Sequence, residues 1–520
     1  MFKREDLIYK DFGIFFCGGL LRVNKLKRLI DFMAAFGYVS MRWEIGMYMD
    51  LDGDAKVVNY MGGNYTHAQI KEIDDYAFSK GIEVVPCVQC FKHNGHVVKH
   101  EKYKNVFGGD GYLLAGEPQV YDLLKEYFET CKRLFRSRRI HIGMDETFHL
   151  GEKGYVDRFG YEEKGEIYMR HLRRVVELVK ECGLECEMWG DMLKEMARKY
   201  RRGAKSCTKN YLADFPKGVR VVEWFYGGDY NHEQLKEIFD CFEGVEEIGY
   251  CDCINTYPEY HPHNQVGLNT YWSHAKRMKD FGINTYLASI WNDHHSCSHF
   301  AGLPAMFACS LAAHGMELNE DTKKGFKEIV GVSFDDFMLL DLVNHDIDWE
   351  RDFVAVHLET SVFRQAYRHD RKDGVYPKDL QIKGLNSRFQ EVADKLKKVE
   401  AGEFSLIFDS LQKLAEVMAI KSELGHEVLW SYMEKDREAL ASCVTKLDEM
   451  IEKLDIFIES FILRYNDEFQ VSRFDICCSQ QLGGAKMKAI YERKMIDEYL
   501  AGKIPTIEIL DEQIRWQAAQ

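Results

Sequence analysis

The sequence contains no apolar run long enough to cross a membrane and no excess of positive charge. A membrane-spanning helix needs about 20 consecutive apolar residues, and no segment approaches that length. The 69 Lys and Arg residues are outnumbered by 84 Asp and Glu residues, which gives a formal net charge of −15. This charge argues against nucleic acids and anionic membranes as partners and favours a neutral or weakly polar ligand.

The chain also has no recognisable signal peptide and no ordered framework of cysteines. It begins Met-Phe-Lys-Arg-Glu-Asp and continues with a short apolar segment that glycines interrupt. Its 15 cysteines are odd in number and scattered through apolar segments. That usage is typical of reduced thiols that pack as small hydrophobic side chains. We therefore expect a cytoplasmic protein.

One cluster, Cys87-x-x-Cys90-x-x-His93-x-x-His96, has the residue types of a metal site. However, Cys87 and Cys90 fall in a β-like run, where a separation of three residues places two side chains on opposite faces. No second cysteine pair with zinc-ribbon spacing follows. Buried thiols are therefore favoured over a zinc site, and no metal or other cofactor is expected.

The length of 520 residues predicts two domains, because one compact core rarely grows so large. From residue 11 to about residue 314, apolar strand-like runs alternate with amphipathic helical stretches. The predicted strands are Phe12–Cys17, Tyr38–Ile45, Ile82–Val88, Arg139–Met144, Leu184–Trp189, Val219–Trp224, Ile248–Ile254 and Ile283–Trp291. Eight such units predict an α/β fold of the (β/α)8 TIM barrel class, with function at the carboxyl ends of the strands.

The strand pattern disappears after about residue 345. The segments 379–399, 404–423, 436–463 and 484–500 are charged and carry an apolar stripe with helical spacing. We therefore predict a catalytic barrel over residues 1–344 and an all-α helical C-terminal domain over residues 345–520.

The segment His141-Ile142-Gly143-Met144-Asp145-Glu146 is an apolar run that ends in two adjacent carboxylates. Successive side chains of a strand point to opposite faces, so both acids can serve one pocket only if the strand stops there. Two close carboxylates also shift each other's pKa, which prepares one to donate a proton and leaves the other ionised. Taken alone, the segment is equally compatible with a helix N-terminus that carries Asp and Glu in its first turn.

Other predicted strands also end in polar and aromatic side chains. Strand three is followed by His93. The other three strands carry these side chains at or just after their last residues: Trp189 and Asp191 on strand five, Glu223, Trp224 and Tyr226 on strand six, and Trp291 and Asp293 on strand eight. Large aromatics at a barrel mouth usually form walls for a ligand with apolar faces, and sugar rings have such faces. Aromatic walls combined with carboxylates indicate a glycosidase.

These motifs resemble glycoside hydrolase family 20, the β-N-acetylhexosaminidases. The family signature is a strand that ends in H-x-G-x-D-E, which here is His141 to Glu146. Trp189-Gly190-Asp191 is similar to the family's W-x-D motif, and Trp291-Asn292-Asp293 to its W-x-E/D motif. The segment 84–89 and the helical tail are most similar to an intracellular bacterial branch of the family.

The resemblance implies exo-acting hydrolysis of terminal β-linked N-acetylglucosamine or N-acetylgalactosamine. The mechanism is retaining and substrate-assisted, because the 2-acetamido oxygen attacks the anomeric carbon. Glu146 would be the general acid and then the base, Asp145 would orient the acetamido group, and Tyr226 would donate to its oxygen. The implied substrate-binding residues are His93, Trp189, Asp191, Trp224, Trp291 and Asp293. The expected partners are glycans or glycoconjugates that contain N-acetylhexosamine. The sequence does not decide between a monomer and a homodimer.

The chain departs from the family at the first two strands. The arginine that normally contacts the sugar O3 and O4 hydroxyls is missing from the stretch 17–21, and Arg22 is displaced. An acidic residue after strand two is not obvious in Trp43-Glu44-Ile45-Gly46. The residues themselves leave two rivals open: a conventional retaining glycosidase with Glu223 as nucleophile, and a metal-dependent hydrolase. The metal ligands of that hydrolase would be Asp293, His294, His295 and His299, or the pair His93 and His96.

Overall fold

The structure is a computed structural model, and its fold is described from the residues placed in it. These are residues 1–51, 63–97, 100–108, 111–196, 211–226, 230–254, 256, 260–292, 296–343, 358, 361–365, 384–470, 474 and 479–518. The predicted boundary at 344/345 lies outside the described residues. Among the described helices, none is long and apolar enough to cross a membrane.

Eight parallel strands close into a barrel in chain order, with β1 paired to both β2 and β8. The strands are β1 Asp11–Phe16, β2 Ser40–Glu44, β3 Glu83–Cys87, β4 Arg139–His141, β5 Glu185–Trp189, β6 Val219–Trp224, β7 Glu247–Cys253 and β8 Thr285–Ile290. The (β/α)8 prediction is confirmed. The carboxyl ends of all eight strands therefore meet at one mouth.

Helices cover the barrel and then form the C-terminal part of the chain. In the barrel region they are α1 Val23–Ala35, α2 His67–Ser79, α3 Pro118–Leu134, α4 Gly154–Phe159, α5 Lys164–Glu181, α6 Asp191–Met196, α7 His232–Phe239, α8 Asn264–Asp280, α9 Leu303–Ala313, α10 Glu320–Val330 and α11 Phe334–Met338. They are followed by α12 Val362–Gln365, α13 Leu385–Leu396, α14 Ser405–Met433, α15 Arg437–Glu468, α16 Ser479–Leu500 and α17 Glu508–Ala518. The prediction of a helical C-terminal region is confirmed.

The barrel interior has a charged layer at its amino end and an apolar layer above it. Arg42 is fully buried, and its Nε lies 3.0 Å from Glu187 Oε2, while Nη2 lies 2.6 Å from Asp11 Oδ2. Burial raises the pKa of Glu187, but Arg42 and two further arginines outweigh it and hold the pKa at about 2. The apolar layer comprises Phe15, Cys87, Trp189, Val222, Cys251 and Leu287. This apolar layer forms the floor beneath the mouth.

Strand β4 ends earlier than predicted. It was expected to continue to Met144, but it ends at His141. Gly143 and Met144 have φ values of 67° and 78°, in the left-handed region that ends an extended strand. The apolar run gave no sign of this turn, because periodicity does not report the sign of φ.

The C-terminal helices dock on the turn that follows β1. Leu21 forms an antiparallel β-bridge with Phe469, which directly follows α15. The Glu468 carboxylate accepts the backbone N–H of His299 at 2.8 Å, and the His299 ring nitrogen Nε2 lies 3.0 Å from the Gly18 carbonyl oxygen. The helical region therefore fixes one edge of the barrel mouth.

Candidate active site

The turn after β4 brings both adjacent carboxylates to the mouth. Glu146 also has a left-handed backbone, with φ 53°. A Cβ on Gly143 would lie 1.9 Å from Gln89 Oε1, so this position requires glycine. The Met144 carbonyl accepts the Tyr168 hydroxyl at 2.9 Å, which fixes the turn. Because the chain has left the extended conformation, Asp145 and Glu146 no longer point to opposite faces.

His93 lies between the two carboxylates. Its Nε2 is 3.6 Å from Asp145 Oδ2 and 3.6 Å from Glu146 Oε2. Burial lowers the pKa of His93, but the hydrogen bond and charge of Asp145, together with the charge of Glu44, outweigh it and raise the pKa overall. A protonated His93 can thus donate to either acid.

The two acids sit in different surroundings. The Asp145 side chain is 12% exposed, and its Oδ1 has no hydrogen-bond partner within the described part of the chain. The Glu146 side chain is 40% exposed, and Lys92 Nζ lies 3.4 Å from its Oε2. One carboxylate is therefore enclosed with an oxygen left for a ligand, and the other reaches toward solvent at the mouth.

Asp191, at the start of α6, holds the backbone of Glu146. Its Oδ2 accepts the Glu146 N–H at 2.9 Å. Burial, then the charges of Asp145 and Glu223, raise the pKa of Asp191 well above its usual range. Asp191 is therefore placed to fix the orientation of Glu146.

Glu223 is fully buried and paired with Lys194. Burial raises its pKa to about 7, although Lys194 opposes the shift. Strands β4 and β6 are separated by β5, as predicted. The ion pair occupies the oxygen Oε1 of Glu223, so this carboxyl group is held inside the barrel wall rather than presented at the mouth.

Three aromatic side chains form a connected wall at the ends of β6 and β8. The Trp291 Nε1–H donates to the Tyr226 hydroxyl oxygen at 2.8 Å, and the Trp224 and Tyr226 rings stack with centroids 5.0 Å apart. The Ser289 oxygen Oγ lies 3.5 Å from this oxygen, but the Ser289 hydroxyl donates to the Asp252 carbonyl at 3.1 Å. Since the Trp291 N–H can only donate, the hydroxyl hydrogen of Tyr226 does not point to Trp291. Burial raises the pKa of Tyr226 well above its usual range, which keeps it a donor.

Trp189 lies beneath this wall. It is fully buried, and its ring centroid is 5.9 Å from that of Trp291 and 4.5 Å from that of Phe15. Its Nε1 has no hydrogen-bond partner among the described residues. Trp189 thus belongs to the apolar floor.

Two family profiles match the chain and together span most of it. Residues 20–307 match "Glycosyl hydrolase family 20, catalytic domain". Residues 364–520 match "Glycoside Hydrolase 20C C-terminal domain". The chain belongs to glycoside hydrolase family 20. The barrel therefore corresponds to the catalytic domain of this family.

Curated relatives are similar to parts of this family 20 chain. Human Hexosaminidase D is 28% identical over 294 residues, which cover 52% of this chain and 58% of that protein. The Beta-hexosaminidase of Vibrio furnissii is 24% identical over 183 residues, covering 26% of this chain and 30% of that protein. The matches therefore extend over little more than half of these relatives at most.

Solved structures are similar to parts of this chain at low identity. An exo β-N-acetylglucosaminidase from Vibrio harveyi has a TM-score of 0.47 and 14% identity, and the match covers 64% of this chain and 59% of that chain. The β-N-acetylhexosaminidase of Streptomyces coelicolor A3(2) has a TM-score of 0.44 and 18% identity, with 62% and 70% covered. The fold assignment rests on the closed eight-stranded barrel of this chain.

One site residue was missed from the sequence of this family 20 chain. Glu44 ends β2 with 5% exposure, and it accepts hydrogen bonds from the Cys17 thiol and from Gln89 Nε2, the latter at 3.0 Å. Burial raises its pKa despite these donors. The sequence feature that could have revealed Glu44 is a carboxylate within the otherwise apolar run of residues 38–45. Arg22 does not replace the missing arginine, because its Nε donates to the Asn466 carbonyl.

The predicted residue Asp293 lies outside the described residues, as do His294 and His295. Elsewhere, His299 contacts Glu468, and His96 Nε2 lies 3.3 Å from the Tyr127 hydroxyl. Across the residues that the structure describes, no three His, Cys, Asp or Glu side chains converge as metal ligands. Within the described residues, His93 and His96 contact different partners and do not form a ligand pair.

Proposed function

We propose that the chain is an exo-acting β-N-acetylhexosaminidase that hydrolyses terminal β-linked N-acetylglucosamine or N-acetylgalactosamine. One observation carries the proposal: an enclosed carboxylate, Asp145, stands beside a more exposed one, Glu146, with His93 3.6 Å from both. A substrate-assisted reaction needs two such acids with different tasks. The partners are accordingly glycans or glycoconjugates that carry N-acetylhexosamine.

Asp145 orients the nucleophile, which the substrate itself supplies. The acetamido oxygen attacks the anomeric carbon with inversion, the glycosidic bond breaks, and a cyclic oxazolinium intermediate forms. Attack of water inverts the anomeric carbon a second time, so the configuration is retained overall. Asp145 accepts the acetamido N–H and stabilises the developing positive charge. Its unpartnered Oδ1 supports this role, because a buried acceptor needs a donor. Tyr226 donates its hydroxyl hydrogen to the acetamido oxygen.

Glu146 acts as the general acid and then as the general base of the reaction. It protonates the leaving oxygen, then removes a proton from the water that opens the oxazolinium ring. Its partial exposure supports this role, since both aglycone and water must reach it. His93 and Lys92 hold the carboxyl group from one side, and Asp191 holds the backbone from another.

The remaining assignments concern sugar binding. Trp224 and Trp291 flank the acetamido methyl group and the sugar face, and Trp189 closes the pocket from below. The family resemblance implies that Asp191 binds substrate. Its hydrogen bond with the Glu146 backbone instead favours a role in positioning Glu146. Asp293 accepts from the 4- or 6-hydroxyl. The ion pair with Lys194 favours this scheme over one in which Glu223 is the nucleophile.

The composition of the chain supports its proposed partners and cellular location. The net charge of −15 supports a protein that does not bind nucleic acid or membranes, and the buried thiols support a reducing, cytoplasmic location. We keep 344/345 as the proposed boundary between the catalytic barrel and the helical domain. We place the enzyme in carbohydrate metabolism.

The test is hydrolysis of four matched nitrophenyl β-glycosides: those of N-acetylglucosamine, N-acetylgalactosamine, glucose and galactose. We expect turnover of one or both N-acetylated sugars and none of their plain counterparts. A matched control is Glu223→Gln, which leaves Asp145 and Glu146 intact and should retain activity on the N-acetylated sugars. Efficient cleavage of plain glucosides that is lost in Glu223→Gln would establish the conventional retaining mechanism instead.

A further inference from the structure

The segment between β4 and α5 holds a half-exposed aromatic side chain, Phe148, directly beside Glu146. The Phe148 N–H donates to the Glu146 carbonyl at 2.9 Å, which closes a three-residue turn. The Lys164 amine donates to the Phe148 carbonyl, so the backbone of Phe148 is held from a second side. Phe148 is nevertheless 45% exposed. A fixed backbone therefore holds an apolar ring at the barrel mouth, next to the carboxyl group of Glu146.

Lys92 connects this ring to the carboxyl group. Its Nζ lies 3.4 Å from Glu146 Oε2 and 5.8 Å from the centroid of the Phe148 ring. It also lies 5.9 Å from the centroid of the Tyr112 ring, whose hydroxyl donates to the Glu146 carbonyl at 3.2 Å. Both ring distances are at the outer limit of a cation–π contact, so the amine does not cover the Phe148 ring. The Lys92 and Glu146 side chains are 24% and 40% exposed, so the amine, the carboxyl group and the ring border one space that opens to solvent.

The two polar groups of this space can each bind a further partner. Lys92 and His93 contact Oε2 of Glu146, and no residue of the described chain contacts its Oε1. An ammonium group has three N–H donors, and within the described chain Glu146 is the acceptor that Lys92 contacts. The charges also balance, because Lys92 and a protonated His93 face the carboxylates of Asp145 and Glu146. Such a space favours an uncharged ligand that has hydroxyl groups and one apolar face.

We propose that Phe148 and Lys92 form the aglycone subsite and that this subsite binds a second, uncharged pyranose residue of the substrate. The inference rests on the proposed function, in which Glu146 protonates the oxygen that joins the terminal sugar to the next group. That group lies on the solvent side of Glu146, which is where the Phe148 ring is exposed. The apolar face of the second sugar covers the ring, and its hydroxyl groups accept the remaining N–H donors of Lys92.

A sugar fits this subsite better than an alkyl chain does. One ring flanked by an amine and a carboxyl group forms an open, partly polar wall, whereas an apolar ligand is usually enclosed by predominantly apolar side chains. The subsite therefore selects disaccharides and longer glycans over glycosides with a small or an apolar aglycone.

The test compares three substrates that carry the same N-acetylhexosamine: its methyl β-glycoside, its octyl β-glycoside and its β-1,4-linked disaccharide with N-acetylglucosamine. The wild type should have a higher kcat/KM on the disaccharide than on the methyl glycoside. Phe148→Ala should lower the ratio of these two kcat/KM values about threefold to tenfold, because the second sugar no longer covers the 45% of the side chain that is exposed. Phe148→Tyr keeps the ring and should preserve the ratio.

The matched control is Phe159→Ala, on α4 of the same segment. Phe159 is also 45% exposed, but its ring contacts Tyr155 and Arg158. This variant should leave the ratio unchanged, and melting temperatures establish that all variants are folded.

The outcomes separate the subsite from the proposed function. An unchanged ratio in Phe148→Ala, an equal fall in Phe159→Ala, or a larger fall on the octyl glycoside than on the disaccharide would overturn the subsite. Turnover of the methyl glycoside by the wild type would still support the proposed function in each of these cases. A wild type that cleaves none of the three substrates would overturn the proposed function and the subsite together.

Discussion

Replacement of Asp191 separates a positioning role from a substrate-binding role. Asp191 Oδ2 accepts the Glu146 N–H at 2.9 Å, at a residue whose φ of 53° is unfavourable for a side chain other than glycine. Loss of the partner of a donor that is shielded from water costs about 1–3 kcal/mol. If that energy holds Glu146 in its productive orientation, its loss corresponds to a roughly 5-fold to 150-fold decrease in kcat.

The assay compares Asp191→Ala with Asp191→Asn, which retains an acceptor oxygen. Steady-state kinetics are measured on a nitrophenyl glycoside and on a disaccharide, whose leaving group depends more on protonation. We expect Asp191→Ala to lower kcat on the disaccharide by the stated factor while KM changes little, and Asp191→Asn to stay within about fivefold of wild type. If both variants raise KM and leave kcat unchanged, Asp191 contacts the substrate and the positioning argument is wrong. Melting temperatures establish that both variants remain folded.

Three further predictions follow from the same geometry. Glu146→Gln should nearly abolish cleavage of poor leaving groups and spare activated aryl glycosides, because these need little protonation; equal losses in steady-state assays would remove Glu146 from the acid role. Trp291→Ala should raise KM and lower kcat with little loss of stability, whereas Trp189→Ala, in the buried floor, should cost about 3–5 kcal/mol in urea unfolding; equal stability losses would contradict this difference. The native protein keeps the Glu223 carboxyl protonated up to a pKa of about 7, whereas the unfolded chain ionises it near the ordinary value of 4.5, so the wild type loses stability as pH rises between these values. Glu223→Gln should thus gain stability relative to wild type from about pH 4.5 to about pH 7, by up to about 3 kcal/mol, and a difference that stays constant over this range would refute the linkage.

The barrel and most of its mouth could be predicted because their signals are local. Strands buried on both faces read as apolar runs, and helices that cover them show their own spacing, so eight units can be counted. Catalytic residues of such a barrel lie where the strands end, so the sequence alone identified Asp145 and Glu146 as candidates. Helices α1, α2, α5 and α8 are each followed by a glycine with a left-handed φ value, which is a local signal of a helix end: Gly37, Gly81, Gly183 and Gly282.

The contacts that adjust the site could not be predicted, because they join residues far apart in sequence. Lys92 meets Glu146 across 54 positions, and Glu468 meets His299 across 169. Neither contact leaves a periodic trace in the chain. Glu44 was overlooked because a charged residue at the end of an apolar strand reads equally well as a solvated strand end. The early end of β4 depends on left-handed φ values at Gly143 and Met144, which composition does not encode.

The most direct test of the substrate-assisted mechanism is calorimetric binding of a thiazoline mimic of the cyclic intermediate to wild type and to Asp145→Asn. The mimic resembles a high-energy species on the reaction path, so we expect the wild type to bind it at least a hundredfold more tightly than it binds the product sugar. Asp145→Asn should lose most of this preference and bind the product nearly as before, since the cyclised cation depends on the carboxylate charge. Thiazoline and product affinities that fall together, or a covalent sugar ester trapped on Glu223, would contradict the account.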